Sequence, residues 1–364
     1  MIPHVRAAKP HILCVFGTRP EAIKLAPVIR ALAQARVTLT VCATAQHREL
    51  LDGVLQTLGI RPDVDLDLMT PNQDLDALTA RVLGRTKEVI ESVRPDMVLV
   101  QGDTTSAMAA ALAAFHAEVP VGHVEAGLRT GFIEDPWPEE ANRRIITQVA
   151  SLHFAPTERA RANLLAEGVD AARIEVTGNT AIDALELVTA QRGLHADGRT
   201  VLVTCHRREN YRDEFRSVVA VLQRISQSFP KLRFLCPLHP NPRVREPLCA
   251  GLAALPNFEL CEPLDYPAML GAIADARAVV TDSGGVQEEA AWYGTPALVL
   301  RDHTDRPESV DAGVAFVVGH DPQLALQILR RVLGEPPRGG THVFGDGDAA
   351  PRIVAFLQKW LNRH

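Results

Sequence analysis

Short apolar runs that end at Gly, Asp or Thr alternate with segments of helical spacing along most of the chain, and that alternation restricts the fold more than any other feature. "HILCVFG", "VTLTVCATA", "DMVLVQGD" and "VPVGHVEAG" are brief and rich in β-branched residues. Between them apolar residues recur at helical intervals, as with Leu50, Leu51, Val54, Leu55 and Leu58 after His47. Short β-branched strands that alternate with amphipathic helices predict a parallel sheet covered on both faces, so the class is α/β. The pattern weakens through "LVTAQRGLHADGRT" and restarts with "VLVTCH", "LRFLCPLH", "FELCEPL", "AVVTDSGG" and "PALVLRD". A linker near 186–199 is expected, dividing two doubly wound domains at 1–185 and 186–348. With 364 residues and 46% apolar side chains, the chain can fill two cores. The final stretch 349–364 places Ile353, Phe356, Leu357, Trp360 and Leu361 on one helical stripe, with Asp348 as its expected cap. That stripe needs a partner surface, and the first domain is the expected one.

Charge and composition exclude several classes. The formal net charge is −6 and no basic tract occurs, so no nucleic-acid partner is expected. No apolar run approaches a membrane span, and "MIPHVRAAKPHILCVF" reads as the approach to a first strand, so the expectation is a cytoplasmic protein without a membrane partner. Cys14, Cys42, Cys205, Cys236, Cys249 and Cys261 form no C-x-x-C pair and read as reduced core residues, leaving no metal site to propose. G-x-G-x-x-G after a strand, G-x-x-x-x-G-K-[ST], H-E-x-x-H and G-x-S-x-G are all missing. Bound NAD, P-loop hydrolysis, zinc proteolysis and serine hydrolysis lose their usual marks, and no cofactor is expected.

In open α/β sheets, ligands bind beyond the carboxyl ends of the strands. The first domain offers "GTRPEAIK", "QGDTTS", "VEAGLRT" and "DPWPEEANRR" there, and the second offers "CHRREN", "LHPNPRVRE", "TDSGGVQEE" and "RDHTDRPE". In "TDSGGVQEEA", Gly284 and Gly285 permit a tight turn with open N–H groups at a helix start, a setting that favours phosphate. Glu288 and Glu289 in the same turn can accept from sugar hydroxyls, while Arg306 and Arg19 can neutralise phosphate charge; an ordinary helix start would carry the same residues. Asp103, Glu125 and Glu139 from one domain, with His206 and His239 from the other, supply acids and bases. Asp103, ahead of Thr104-Thr105, can equally serve as a helix cap. Glu139 and Glu140 can be first-turn helix carboxylates, and His123 reads as a core histidine. Glu125 reads as functional, because "VGHVEAGLR" sets a carboxylate in an apolar strand, where it is costly without a partner.

Taken in order from residue 14 to about 320, "FGTRPEAIKLAPV", "TAQHRELLD", "VQGDTTS", "GHVEAGLRTG", "PWPEEANRR", "VTGNTAIDAL", "HRREN", "HPNPRVREP", "VTDSGGVQEEA" and "RDHTDRPE" resemble the non-hydrolysing UDP-N-acetylglucosamine 2-epimerases. The resemblance implies two Rossmann-like domains facing across a cleft in a glycosyltransferase-B-like arrangement, a UDP-sugar substrate and a homodimer. It assigns nucleotide contacts to Arg19, Lys24, Ser283, Gly284, Gly285, Glu289 and Arg306, with Glu289 on the ribose. It assigns catalysis to Asp103, Glu125, Glu139 and His206. Gln46, His47, Arg48 and His239 are candidates for a second, activating UDP-GlcNAc site. Some features depart from the family: Tyr211-Arg212-Asp213 replaces a glycine-containing turn, Leu264 and Met269 stand where some members place Gln and Phe, and Glu49 and Asn72 replace a Gln and an Arg of some regulated members.

Substrate geometry then suggests the reaction. The C2 proton of a 2-acetamido sugar has no adjacent carbonyl, so direct abstraction is too hard for a side-chain base. In α-linked UDP-GlcNAc the C1–O and C2–H bonds are axial and antiparallel, which suits anti elimination of UDP to 2-acetamidoglucal. Re-addition with proton delivery to the opposite face of C2 gives UDP-ManNAc. A hydrolysing epimerase that releases ManNAc and UDP, and a glycosyltransferase that uses the same nucleotide cradle, are the alternatives.

Overall fold

A computed structural model describes residues 9–44, 48–68, 74–188, 193, 197–205, 213–336 and 339–363. The chain divides into two compact units, Met1–Leu187 with Gly345–His364, and Val188–Phe344.

The first unit holds strands β1 (His11–Phe16), β2 (Thr38–Ala43), β3 (Val64–Asp65), β4 (Met97–Gln101), β5 (Val121–Val124), β6 (Leu152–Ala155) and β7 (Ile174–Val176). Its helices are α1 (Arg19–Gln34), α2 (Arg48–Leu58), α3 (Leu75–Val93), α4 (Thr105–His116), α5 (Glu139–Val149), α6 (Glu158–Ala166) and α7 (Thr180–Leu187). The strands form one parallel sheet in the order β3-β2-β1-β4-β5-β6-β7. The order reverses between β1 and β4, so the loops leaving these two strands diverge to opposite faces and open a crevice between them. Leu13, Val15, Val98, Val100 and Val121 pack against the alanines of α4, whose small side chains let the helix lie close to the sheet.

The second unit repeats the plan. Strands β8 (Thr200–Thr204), β9 (Arg233–Pro237), β10 (Phe258–Cys261), β11 (Ala278–Thr281), β12 (Ala297–Val299) and β13 (Ala315–Val317) run parallel in the order β10-β9-β8-β11-β12-β13. Helices α8 (Asp213–Ser228), α9 (Pro242–Leu252), α10 (Tyr266–Asp275), α11 (Gly284–Tyr293), α12 (Pro307–Asp311) and α13 (Pro322–Gly334) cover it. Here the reversal falls between β8 and β11. Cys14, Cys42, Cys205 and Cys236 are buried free thiols, and Cys249 and Cys261 are partly buried ones.

The last helix, α14 (Ala349–Leu361), belongs to the first unit and packs on α1 and α7. Ile353 and Leu357 are fully buried, and Phe356 meets Phe154 edge to face. Asp348 occupies the N-cap position, but its side chain makes no capping bond. Asp183 of α7 takes that role, accepting from the N–H groups of Ala349 and Ala350 at 3.2 and 2.7 Å. The cap comes from across the packing interface, so local sequence pointed to the wrong aspartate. Among the described residues no helix is long and apolar enough to cross a membrane.

Candidate functional site

In the first unit the crevice is built from β1 outward. Gly17 follows β1, and a Cβ there would sit 2.5 Å from Thr44 Oγ1 and 2.6 Å from Ser106 Oγ, so only glycine fits. Thr18 then opens α1, and Glu21 reaches back to accept from the N–H groups of Gly17 and Thr18 at 3.1 and 2.7 Å. Its other oxygen accepts from Thr104 Oγ1 at 2.9 Å, joining the loop after β1 to the loop after β4. Burial pushes the Glu21 carboxyl up to about 7, although these donors pull it down. Arg19 is the first residue of α1 and is half-buried.

At the end of β4, Thr104 is the cap of α4, accepting from Ala107 N–H at 3.0 Å. Asp103 is therefore not the capping residue. Its carboxylate instead pairs with Arg143 of α5, and its carbonyl accepts from Asn142 Nδ2 at 2.9 Å. Both partners were absent from the residues singled out in sequence, although Arg143 lies four positions after Glu139 on one helical face.

Glu125 lies one residue beyond β5 rather than within it, at φ 66, a left-handed conformation that non-glycine residues seldom adopt. Such a backbone costs energy and tends to persist where it aims a side chain. The carboxylate is buried and pairs with Lys24 of α1. Lys24 thus stands beside a proposed catalytic acid. The same loop carries Arg129, which holds Glu167 through two bonds of 2.7 Å and donates to Thr147 Oγ1 at 2.9 Å, bracing the loop against α5 and α6.

Glu139 begins α5 after Pro138 and is half-buried. Glu140 is fully buried and spoken for: it accepts from Thr130 N–H at 3.2 Å and from Arg144 Nε and Nη2 at 3.1 and 3.0 Å, with Arg143 Nη1 at 3.4 Å. Of the two adjacent acids, Glu140 is the structural one. Its bonds fix the start of α5 and so the placement of Glu139. Asp103, Glu125 and Glu139 thus follow β4, follow β5 and begin α5, all within the first unit.

In the second unit, Ser283 is the N-cap residue of α11, with Gly284 and Gly285 as its first two positions. A Cβ on Gly284 would lie 3.2 Å from Cζ of Arg306, so the guanidinium sits against the open end of the helix. Arg306 Nε donates to Glu288 Oε1 at 2.6 Å and Nη1 meets Asp305 Oδ2 at 2.6 Å, while Arg301 Nη1 meets Asp305 Oδ1 at 3.1 Å. The N-terminal end of the helix and a buried guanidinium make an anion-favouring end.

Two expectations need correction here. Glu288 and Glu289 lie in the second turn of α11, not the first. Glu288 is a partner of Arg306 rather than a carboxylate open to sugar hydroxyls. Glu289 is mostly buried beside Tyr266, whose phenol is pushed well above its ordinary range by burial first and then by the Glu289 charge. Met269 lies in the core of this unit and Leu264 packs against it.

His206 lies outside the described residues, as do Gln46, His47, Asn72, Tyr211 and Arg212; the side chains of Arg48, Glu49 and Asp213 do too. His239 follows β9, and its Nδ1 accepts from Asn241 N–H at 3.1 Å. No group of three or more His, Cys, Asp or Glu placed to hold a metal ion occurs among the described residues.

The family profile described as UDP-N-acetylglucosamine 2-epimerase matches residues 30–358. The chain belongs to that family. A probable UDP-N-acetylglucosamine 2-epimerase of Ralstonia nicotianae is 46% identical over 373 residues, covering 96% of this chain and 99% of the relative. The crystal structure of UDP-GlcNAc 2-epimerase from Neisseria meningitidis bound to UDP-GlcNAc superposes with a TM-score of 0.91 at 40% identity, covering 96% of this chain and 100% of that one. The structure of the glycotransferase of kitacinnamycin, 14% identical with a TM-score of 0.58 over 96% of this chain and 95% of that one, shares the fold alone. The fold class, α/β with two parallel sheets of Rossmann-like order, stands with these neighbours.

Proposed function

We propose that this chain interconverts UDP-GlcNAc and UDP-ManNAc without net hydrolysis. A base removes the C2 proton as the C1–O bond breaks, giving UDP and 2-acetamidoglucal. A proton then adds to the other face of C2 while a phosphate oxygen of UDP re-forms the bond to C1. Two proton positions are required, one on each face. Asp103, Glu125 and Glu139 supply acid, base and stabilisation of the positive charge that develops at C1. Ser283, Gly284, Gly285 and Arg306 receive the diphosphate, Glu289 the ribose, Arg19 and Lys24 further nucleotide charge, and His206 assists the leaving phosphate.

The observation that carries this reading is the pair of carboxylates at adjoining strand ends, Asp103 with Arg143 and Glu125 with Lys24, each set against a buried cation. An ordinary sugar-binding loop has no need of a strained Glu125 backbone aimed by a buried lysine. The relatives support the substrate, since one of them is bound to UDP-GlcNAc.

Incubation with UDP-GlcNAc in deuterated water, followed by NMR of the products, tests it. Deuterium at C2 with UDP-ManNAc as the epimer is expected. Free ManNAc with UDP as the main product would replace this reaction with the hydrolysing one, and epimer-free product with no C2 exchange would point to glycosyl transfer.

A further inference from the structure

Asp103 sits on the short turn Gly102-Asp103-Thr104, and the groups that hold this turn come from two residues to which no role in the reaction has been given above. Gly102 has φ 73, and its N–H donates to Val124 O at 3.0 Å. Its carbonyl oxygen lies 2.8 Å from Nε2 of His123 on the neighbouring strand. A carbonyl only accepts, so the imidazole proton must sit on Nε2. His123 is fully buried, next in register to the equally buried His153 of β6. Burial lowers His123 to about 4, which keeps the ring a neutral, single-proton donor at ordinary pH.

On the other flank Glu21 accepts from Thr104 Oγ1 at 2.9 Å while gripping the N–H groups of Gly17 and Thr18. Glu21 is as buried as His123, so neither side chain is open to meet a ligand itself, whereas the Asp103 side chain is 25% exposed. The peptide ahead of Asp103 is therefore oriented from β5 and the residue after it from α1. A misplacement of about 1 Å at a reacting group is enough to cost much of a rate.

We infer that His123 and Glu21 are positioning residues for Asp103, fixing its turn from opposite sides so that its carboxylate meets the substrate in a single orientation. The inference rests on the reading of Asp103 as an acid/base group. His123 acts by donating to a backbone carbonyl, so a donor of similar reach should replace it: Gln presents an N–H near the position of imidazole Nε2, and Phe fills the space without one. Glu21 acts by accepting on one oxygen and bridging to a hydroxyl with the other. Gln can do both, its amide donating to the Thr104 oxygen, and Ala can do neither.

The experiment measures kcat, KM and the rate of C2 deuteration for H123F, H123Q, E21A and E21Q, each alone and in an Asp103→Asn background. H123F and E21A are expected to lose roughly tenfold or more in kcat with KM within about threefold, and each Gln variant to recover to within about threefold of the parent. In the Asp103→Asn background neither H123F nor E21A should lower the residual C2 deuteration further, because the group they place is already disabled. Losses that multiply in that background, or equal losses for Phe and Gln at position 123, would overturn the inference and leave His123 a packing residue. Full turnover in H123F and E21A would overturn it as well. Near-parental turnover of Asp103→Asn alone would instead retire Asp103 from the chemistry, a result readable without the other variants. If H123F does not give folded protein, the Glu21 pair in both backgrounds decides.

Discussion

The two units share a sheet order and differ in what they hang on it. In the first, the strand order reverses at β1 and β4, and just past β4 and its neighbour β5 stand carboxylates paired with buried cations: Asp103 with Arg143, Glu125 with Lys24. In the second, the equivalent reversal at β8 and β11 leads into glycines at the open end of α11, with Arg306 lying against them. The first arrangement suits proton transfer and the second suits anion binding. A doubly wound sheet thus fixes where a ligand is met, and only the loop residues decide what is done to it.

The sharpest way to break that division of labour is to disable the carboxylates. Glu125→Gln and Asp103→Asn should each lower turnover by roughly two to four orders of magnitude, with UDP affinity nearly unchanged. Steady-state kinetics together with calorimetry of UDP binding separates the two effects. Parental turnover in either variant would remove that residue from the chemistry; a large loss of UDP affinity would instead blur the distinction between the units.

The converse prediction concerns Arg306. Replacing it with Ala removes charge-assisted bonds and also strands Glu288 and Asp305, both buried. UDP affinity should fall by roughly 10- to 100-fold, the range expected for about 1.5–3 kcal/mol per bond to a charged group. Arg306→Lys keeps the charge without the planar fork and should recover part of the loss. Calorimetry showing unchanged UDP affinity in both would place the nucleotide elsewhere.

How much of this was legible beforehand follows from the range of each interaction. The α/β alternation, the strand-end loops and the acids Asp103, Glu125 and Glu139 were readable because patterning and strand-end position are local. The partners were not: Lys24 and Glu125 are 101 residues apart, Asp103 and Arg143 are 40, and Asp183 reaches Ala350 over 167. Capping misled for the same reason in miniature, since Thr104 outcompetes Asp103 for the first turn of α4 by one position. Glu288 and Glu289 were placed a turn too early because "TDSGG" does not reveal that Gly284 already begins the helix.

A smaller effect separates the units by pH. His123 and His153 in the first unit are lowered by burial to about 4 and about 3. The unfolded chain takes up protons near 6.5 that these rings refuse when folded, so the stability they contribute is present at pH 7 and is lost as pH falls through that window. Glu21 works the other way: raised to about 7, it holds a proton that the unfolded chain sheds near 4.5, and its contribution is lost as pH rises toward 7. Two histidines against one glutamate leave a net loss on acidification. Calorimetric scans at pH 7 and pH 5 should show the transition of the first unit falling by several degrees, on the order of 1–2 kcal/mol, and falling less in His153→Phe. An equal shift with and without His153 would exclude that ring as a source.

The smallest expected effect tests the contact that defines the second unit. Gly284→Ala places a methyl 3.2 Å from Cζ of Arg306, closer than nearly all such contacts, yet the neighbour is the far end of a flexible side chain. Gly284 adopts no left-handed backbone, so alanine is not excluded by conformation. The guanidinium must therefore shift by a few tenths of an ångström, which its hydrogen bond to Glu288 and its ion pair with Asp305 resist. The cost should appear as a UDP affinity lowered by about three- to tenfold, with turnover at saturating substrate within about threefold. Combining Gly284→Ala with Arg306→Ala should be non-additive: once the guanidinium is gone the methyl has nothing to displace, so it should add no further loss. If the methyl still weakens UDP in the Arg306→Ala background, it is acting on the nucleotide itself, and the open end of α11 rather than the arginine beside it is the closer contact to the diphosphate.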